Sequence, residues 1–389
     1  MIGNYIIVTS QKKGNYSTLS YDNLVFRLAN THDIDQLFYL SQATQPGLTS
    51  IPKSEKLWAD RVKQNKDLLS KKDSLMQGKW FTFVIEDVSK NKIIGTASIL
   101  DEVGKNYPLN VYQICEEKKT SSHLQIKQYI RYLNPKQIES GPSELGALWL
   151  HPKYRGFGLG RLLTVGRLMF IATHRKYFKQ SILAEMRGYA DEKGKVPFWE
   201  HVSKPIFGMS YEIADYLASK NQEFIKELLP NFPIIIDLLS NQARECIGMC
   251  HPLTTAACAV LLSEGFKMTR SVDIFDAGPK LTAQIDELRA IKNLNSLPIR
   301  EMKVMNDFHK SHSKIWIVLD NSSKDFNLKV INAVKKNDCL WVEKGLMASS
   351  HLNENSYSAL LLTPQQKDSF IQGFWSCYQN AASLFKTIG

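Results

Sequence analysis

Short apolar runs alternate with helix-period segments along the first 290 residues, the layout of a mixed sheet flanked by helices. Residues 24–29 read as a strand, and Thr31-His32-Asp33 opens a helix that buries Ile34, Leu37, Phe38 and Leu40. A loop over 46–52 precedes a charged helical segment at 54–70, with Leu57, Val62 and Leu69 on its buried side. Residues 80–86 and 93–100, joined by the polar turn Ser89-Lys90-Asn91-Lys92, predict a hairpin. Further strands are expected over 111–128, with an exposed tip at 116–122. An apolar run at 145–150 has the length of a buried strand, and a helix-period segment follows it toward Tyr177. Residues 181–188 then read as a strand, Pro197-Phe198-Trp199 as a helix start, and 213–229 as a helix broken by Pro230 and Pro233. Residues 260–266 and 271–275 predict a helix, a turn at Gly265 and a strand.

The texture changes near Asn293. Short strand candidates at 315–319, 328–333, 340–342 and 359–362 predict a small β-rich C-terminal domain, residues 293–389, that ends in a helix from Pro364. Residues 1–22 are polar and read as an arm or an added edge strand, leaving 23–292 as the main domain with a helical insertion at about 211–240. A chain of 389 residues exceeds the usual size of one domain, which agrees with this division. The fold class is α+β.

Composition narrows the function classes. No apolar run reaches transmembrane length, and residues 1–21 lack the apolar core of a signal peptide. The six cysteines form no repeating framework, so reduced thiols and a cytoplasmic location are expected. Cys246, Cys250, His251 and Cys258 match no common zinc spacing, and no metal is expected. A net charge of +11 suits a polyphosphate ligand or a solvated lysine-rich surface. The lysines are scattered without interleaved aromatics, which speaks against a nucleic-acid or membrane partner.

The candidate chemistry centres on residues 144–170, E-L-G-A-L-W-L-H-P-K-Y-R-G-F-G-L-G-R-L-L-T-V-G-R-L-M-F. Arg155, Gly156, Gly158 and Gly160 lie between the strand and the helix. Unpaired amides and the positive end of a helix dipole converge at such a junction, and glycine lets an anion approach closely. A tight turn with no ligand fits the same glycines. The spacing fits neither a Walker loop nor a dinucleotide fingerprint. Arg-Gly-x-Gly-x-Gly resembles the pyrophosphate loop of the GCN5-related N-acyltransferase superfamily.

Within that superfamily the chain resembles the arginine N-succinyltransferase family. The resemblance rests on Gly47-Leu48-Thr49-Ser50, Ala184-Glu185-Met186-Arg187-Gly188, Pro197-Phe198-Trp199, Ala214-Asp215-Tyr216-Leu217, His251-Pro252, Glu264-Gly265-Phe266 and Asp273-Ile274-Phe275-Asp276, in order and spacing. It implies a mixed sheet of the N-acyltransferase kind and transfer of succinyl from succinyl-CoA to the α-amino group of L-arginine, in arginine catabolism. It also implies His251 as the catalytic proton donor, where the residues alone also fit a helix-entry turn, and Leu148 as a succinyl-CoA contact. Glu144 stands where members of the superfamily sometimes place a general base, and it also fits a surface carboxylate. A homo-oligomeric assembly is expected. Gly146-Ala147 depart from the family, which usually has a cysteine and a hydroxyl residue there. Asp276-Ala277-Gly278-Pro279 and Thr254-Thr255-Ala256-Ala257 depart as well.

Glu185 and Arg187 alternate on one strand and face the same side, as a site for arginine and succinyl groups or as a structural ion pair. Asp191, Asp215, Asp273 and Asp276 are further candidates for the guanidinium, and each also fits a cap or turn. Two other readings stay open. One is an acyl-CoA-dependent transferase acting on ornithine, another basic amino acid or a protein. The other is a non-catalytic basic binding module on the same fold.

Overall fold

The computed structural model describes residues 7–12, 15–21, 23–44, 47–69, 78–302, 314–320, 326–349, 352 and 356–362. Strands β1 (Ile7–Lys12) and β2 (Asn15–Ser20) form an antiparallel hairpin separate from the main sheet. The first half of the main sheet comprises β3 (Leu24–Leu28), β4 (Trp80–Asp87), β5 (Lys92–Leu100), β6 (Leu109–Ser121), β7 (Ile126–Ile138), β8 (Ser143–Leu150) and β9 (Ser181–Glu185). It is continued by β10 (Ile234–Ile235), β11 (Lys267–Asp273), β12 (Pro279–Gln284), β13 (Asn295–Glu301), β14 (Lys314–Asp320), β15 (Asn327–Lys336), β16 (Cys339–Val342) and β17 (Ser356–Leu361). The order is β10-β7-β6-β11-β12-β9-β8-β5-β4-β3-β15-β14-β17-β13-β16. The strands beyond Asn293 carry their own apolar cluster, including Ile299, Trp316 and Leu340. They are also bonded to the first part of the sheet, since β15 pairs with β3 from Asn327↔Arg27 to Lys329↔Val25. The helix expected from Pro364 lies outside the described residues.

Three helices cover the early strands: α1 (Ile34–Gln42), α2 (Glu55–Leu69) and α3 (Leu159–Thr173). In α2 the buried face is Trp58, Val62 and Asn65, spaced four and three apart, and Leu57 is only half-buried. The side chain of Leu69 lies outside the described residues. Asn65 is buried because every polar atom of its amide has work: Nδ2 donates to the carbonyls of Ala29 (2.9 Å) and Thr82 (2.8 Å), and Oδ1 accepts from the Thr82 amide. Helix α3 is apolar nearly all round because sheet and helices enclose it. Phe170 stands edge-on to Phe83 and Phe326 at 4.9 Å, contacts worth about 0.5–1.5 kcal/mol each beyond their buried area.

Several boundaries differ from the sequence expectation. The β6–β7 tip lies at Ser122–Gln125, later than 116–122, because the two strands pair in register from Leu109↔Ile138 to Ser121↔Ile126. Residues 213–229 form two helices, Tyr211–Ala218 and Glu223–Leu228, with a break at 219–222. The helix near Val260 starts earlier, at Thr255.

The feature that makes a site is the parting of β8 and β9. They are parallel neighbours paired only at Ser143↔Ile182 and Glu144↔Leu183, after which they diverge. On its other edge β8 carries a bulge: Thr96 faces Trp149 and Ser98 faces Gly146, so Ala147 and Leu148 both stand opposite Ala97. Ala147 is left-handed (φ +51°), a conformation that costs a non-glycine residue on the order of 1 kcal/mol. The strain is held from two sides. The Ala147 amide donates to Ser50 Oγ (2.9 Å), and the buried Arg167 guanidinium donates to the carbonyls of Gly146 (3.1 Å) and Ser98 (3.0 Å).

Candidate active site

The parted strands open onto a cavity of about 1220 Å³. One side is formed by the loop that enters α3. Gly156 and Gly158 are left-handed (φ +90° and +79°), and Gly158 is the residue preceding the first turn of α3. Only glycine takes such angles at little cost, so these two have a structural reason to be there. Gly160 has none: a Cβ added to it would meet no heavy atom within 4 Å. All three line the cavity together with Arg155 and Leu148. Arg155 is steadied by its Nε donating to the Leu150 carbonyl (3.1 Å). Helix α3 thus presents its positive end and a bare glycine to the cavity, a setting for a phosphate group.

Glu144 lies at the start of β8, buried, where the two strands part. Burial, with repulsion from the Glu185 carboxylate, raises its pKa to about 8 against the pull of Lys280, Arg61 and Arg167. Arg61 is placed by stacking on Trp80, 4.1 Å from guanidinium carbon to ring centroid. The Trp80 ring in turn packs over Gly146, where a Cβ would come within 3.0 Å of the ring and of Glu144 Oε1. A larger residue at 146 would therefore require the Trp80 ring or the Glu144 carboxyl to shift by a few tenths of an ångström.

Glu185 and Arg187 both line the cavity, although β9 ends at Glu185. Glu185 is engaged by Lys280, whose buried ammonium donates to its Oε1 and lies 3.6 Å from Asp273 Oδ2. Asp273 and Asp276 are also at the cavity, and both are drawn into backbone bonds. Asp276 accepts from the amides of Gly188 and Gly278 (2.8 Å each), and Asp273 from those of Phe275 and Asp276. Asp191 does not belong to this group, since it closes its own turn with the amides of Lys193 and Lys195.

His251 is buried and precedes the short helix Pro252–Thr254. Its Nδ1 accepts from the Leu253 amide (3.1 Å), which puts the hydrogen of the neutral ring on Nε2. Burial and the nearby Arg187 charge lower its pKa to about 4, so the ring is uncharged at neutral pH. Leu253 and Thr254 line the cavity, and His251, which precedes them in the chain, is not among its lining residues. No group of three or more His, Cys, Asp and Glu side chains among the described residues could hold a metal ion.

Residues 24–290 match the family described as "Arginine N-succinyltransferase beta subunit". The chain belongs to the arginine N-succinyltransferase family. Among relatives of that name, one from Yersinia pseudotuberculosis serotype O:3 (strain YPIII) is 34% identical over 310 residues, covering 79% of this chain and 88% of the relative. Another, from Photorhabdus laumondii, is 32% identical over 339 residues, covering 87% and 98%. The solved structure of arginine/ornithine succinyltransferase subunit AI from Pseudomonas aeruginosa superposes with a TM-score of 0.77 at 24% identity, covering 88% of this chain and 99% of that one. The two chains thus share a fold over most of their length.

The residues least legible in the sequence are Arg61, Arg167 and Lys280, which surround Glu144. The signal available for Arg167 was an arginine flanked by Leu168, Met169 and Phe170 on a largely apolar helix.

Proposed function

We propose that this chain transfers the succinyl group of succinyl-CoA to the α-amino group of L-arginine. The observation that carries the reading is one cavity in which the glycine loop of α3, the bulged strand and the buried Glu144 converge, within a chain of this family. Arg155, Gly156, Gly158 and Gly160 take the pyrophosphate, and the pantetheine arm runs along the open edge of β8 past Leu148. The splay, bulge and loop together support an N-acyltransferase core over residues 23–292. A family in which arginine is the acceptor suits the carboxylates that line the cavity, Glu185, Asp215, Asp273 and Asp276.

The chemistry follows from the charge states. The α-amine attacks the thioester carbonyl as the neutral form, and the carbonyl oxygen gains negative charge that backbone amides near Leu148 stabilise. Glu144, with a pKa near working pH, removes the amine proton. The carbon–sulfur bond then breaks. Neutral His251 donates its Nε2 hydrogen in a hydrogen bond to the departing sulfur, while the proton held by Glu144 leaves with the products. Arg187 holds a carboxylate of the substrates, and Glu185, tied to Lys280, sets the charge around Glu144.

Thiol release should be followed with succinyl-CoA and acetyl-CoA against arginine, ornithine and lysine. Release is expected with succinyl-CoA and arginine; none with any pair overturns the enzyme reading, and a different preferred pair redirects it. We further place self-association at the outer face of residues 211–240, where Phe232 and Leu238 are 67% and 81% exposed.

A further inference from the structure

We infer that Asp215 is the residue that receives the cationic side-chain end of the acceptor, and so sets the preference for a basic amino acid. The inference rests on the reading above and names its specificity element. Besides Glu144 the cavity is lined by the carboxylates of Glu185, Asp215, Asp273 and Asp276, and counting their hydrogen bonds separates them. Glu185 is paired with Lys280, Asp276 accepts a backbone amide on each oxygen, and Asp273 accepts two amides on Oδ1 with the Lys280 ammonium 3.6 Å from its Oδ2. Asp215 is buried to 94%, lines the cavity, and accepts at Oδ1 from the Gly47 amide (2.7 Å). Its Oδ2 has no hydrogen-bond partner among the described residues. That oxygen is an acceptor left open at the cavity lining.

A second acceptor stands beside this one. Tyr211 stands one helical turn before Asp215, on the same face of the helix Tyr211–Ala218, and also lines the cavity. Its hydroxyl makes no hydrogen bond among the described residues, and burial beside Asp276 and Asp215 holds it protonated, so its oxygen is free to accept. Two cations of the chain act on Asp215, Lys53 and Arg187. The Lys53 ammonium donates to the Ser41 carbonyl (3.1 Å) and the Thr44 hydroxyl, and Arg187 lies beside Gly47, where it can take the acceptor's own carboxylate. The α-amine cannot be the group at Asp215. A carboxylate there would hold that amine protonated, and attack on a thioester needs the neutral form. A guanidinium or ammonium at the far end of the side chain has no such conflict and can donate to Asp215 Oδ2 and Tyr211 at once.

The test compares L-arginine with L-citrulline, which has the same length and a neutral ureido end. Wild type is expected to prefer arginine strongly. Asp215→Asn keeps an oxygen for the Gly47 amide but removes the charge; kcat/KM for arginine should fall at least about tenfold, with KM for succinyl-CoA unchanged and the preference over citrulline largely lost. Asp215→Glu should restore part of that preference. A preference retained in Asp215→Asn overturns the inference. So does wild type that uses or binds the two acceptors equally, a result independent of how any variant folds. Calorimetric binding of arginine and citrulline reads the subsite even without turnover, so failure of the transferase reading and failure of this one give different results.

Discussion

Replacing Glu144 by Gln keeps the shape of a buried side chain and removes its ionisation, so it separates what the charge does for catalysis from what it does to stability. In the folded protein Glu144 titrates near 8, against the ordinary value of 4.5 expected for the unfolded chain. The folded state thus holds a proton that the unfolded state releases between these values. Stability from this group is full below about pH 4.5 and declines as pH rises toward 8. At about 1.4 kcal/mol per pH unit, wild type should lose on the order of 4 kcal/mol between pH 5 and pH 8 that the Gln variant keeps. Turnover should show the opposite sign. Wild-type kcat/KM should rise with pH through about 8 as Glu144 ionises, while Glu144→Gln should lose that limb and roughly 10²–10⁴-fold in rate. Urea unfolding of both proteins at pH 5 and pH 8, beside a pH–rate profile, measures both halves. A stability difference between the two that does not move with pH would refute the burial argument; a variant that keeps the rising limb would remove Glu144 as the base.

Gly160→Ala should leave the unfolding midpoint unchanged, since its Cβ meets open space, yet raise KM for succinyl-CoA by crowding the phosphate loop; an unchanged KM would leave Gly160 without a ligand role. Gly158→Ala should instead cost about 1 kcal/mol of stability through its left-handed backbone, read by denaturant unfolding. Gly146→Ala should destabilise by about 1–3 kcal/mol through contact with Trp80, and Trp80→Leu in the same chain should recover part of that loss; additive effects in the double variant would refute the contact. His251→Ala should lower kcat with KM for succinyl-CoA nearly constant, and wild type should show no limb near pH 6.5, because the imidazole is already neutral there.

What the chain disclosed on reading was local. The strand, the glycine loop and the following helix are contiguous, so pattern and spacing reveal them together, and the parted edge of β8 coincides with the apolar run at 145–150. The buried face of α2 was misplaced by one residue because Leu57 and Trp58 are adjacent apolar positions, and only contact with β4 and α1 decides which turns inward. The charges around Glu144 were illegible for a different reason. Arg61, Arg167 and Lys280 lie on α2, α3 and β12, and nothing in the period of any one element says that their charges converge. Asp215 was one of four aspartates that the sequence offered for the guanidinium, and only the hydrogen bonds of the folded chain tell them apart.

The pairing of β3 with β15 also has a consequence for synthesis. Arg27 meets Asn327, about 300 residues later in the chain. At roughly 5–20 residues per second, the ribosome needs on the order of 15–60 seconds to deliver the outer partner of β3. During that interval the β3 edge of the nascent sheet is complete on one side and open on the other, a template for pairing with another chain. The last hundred residues thus act as a late clasp on the first strand of the sheet, and a nascent chain truncated before β15 would expose that edge.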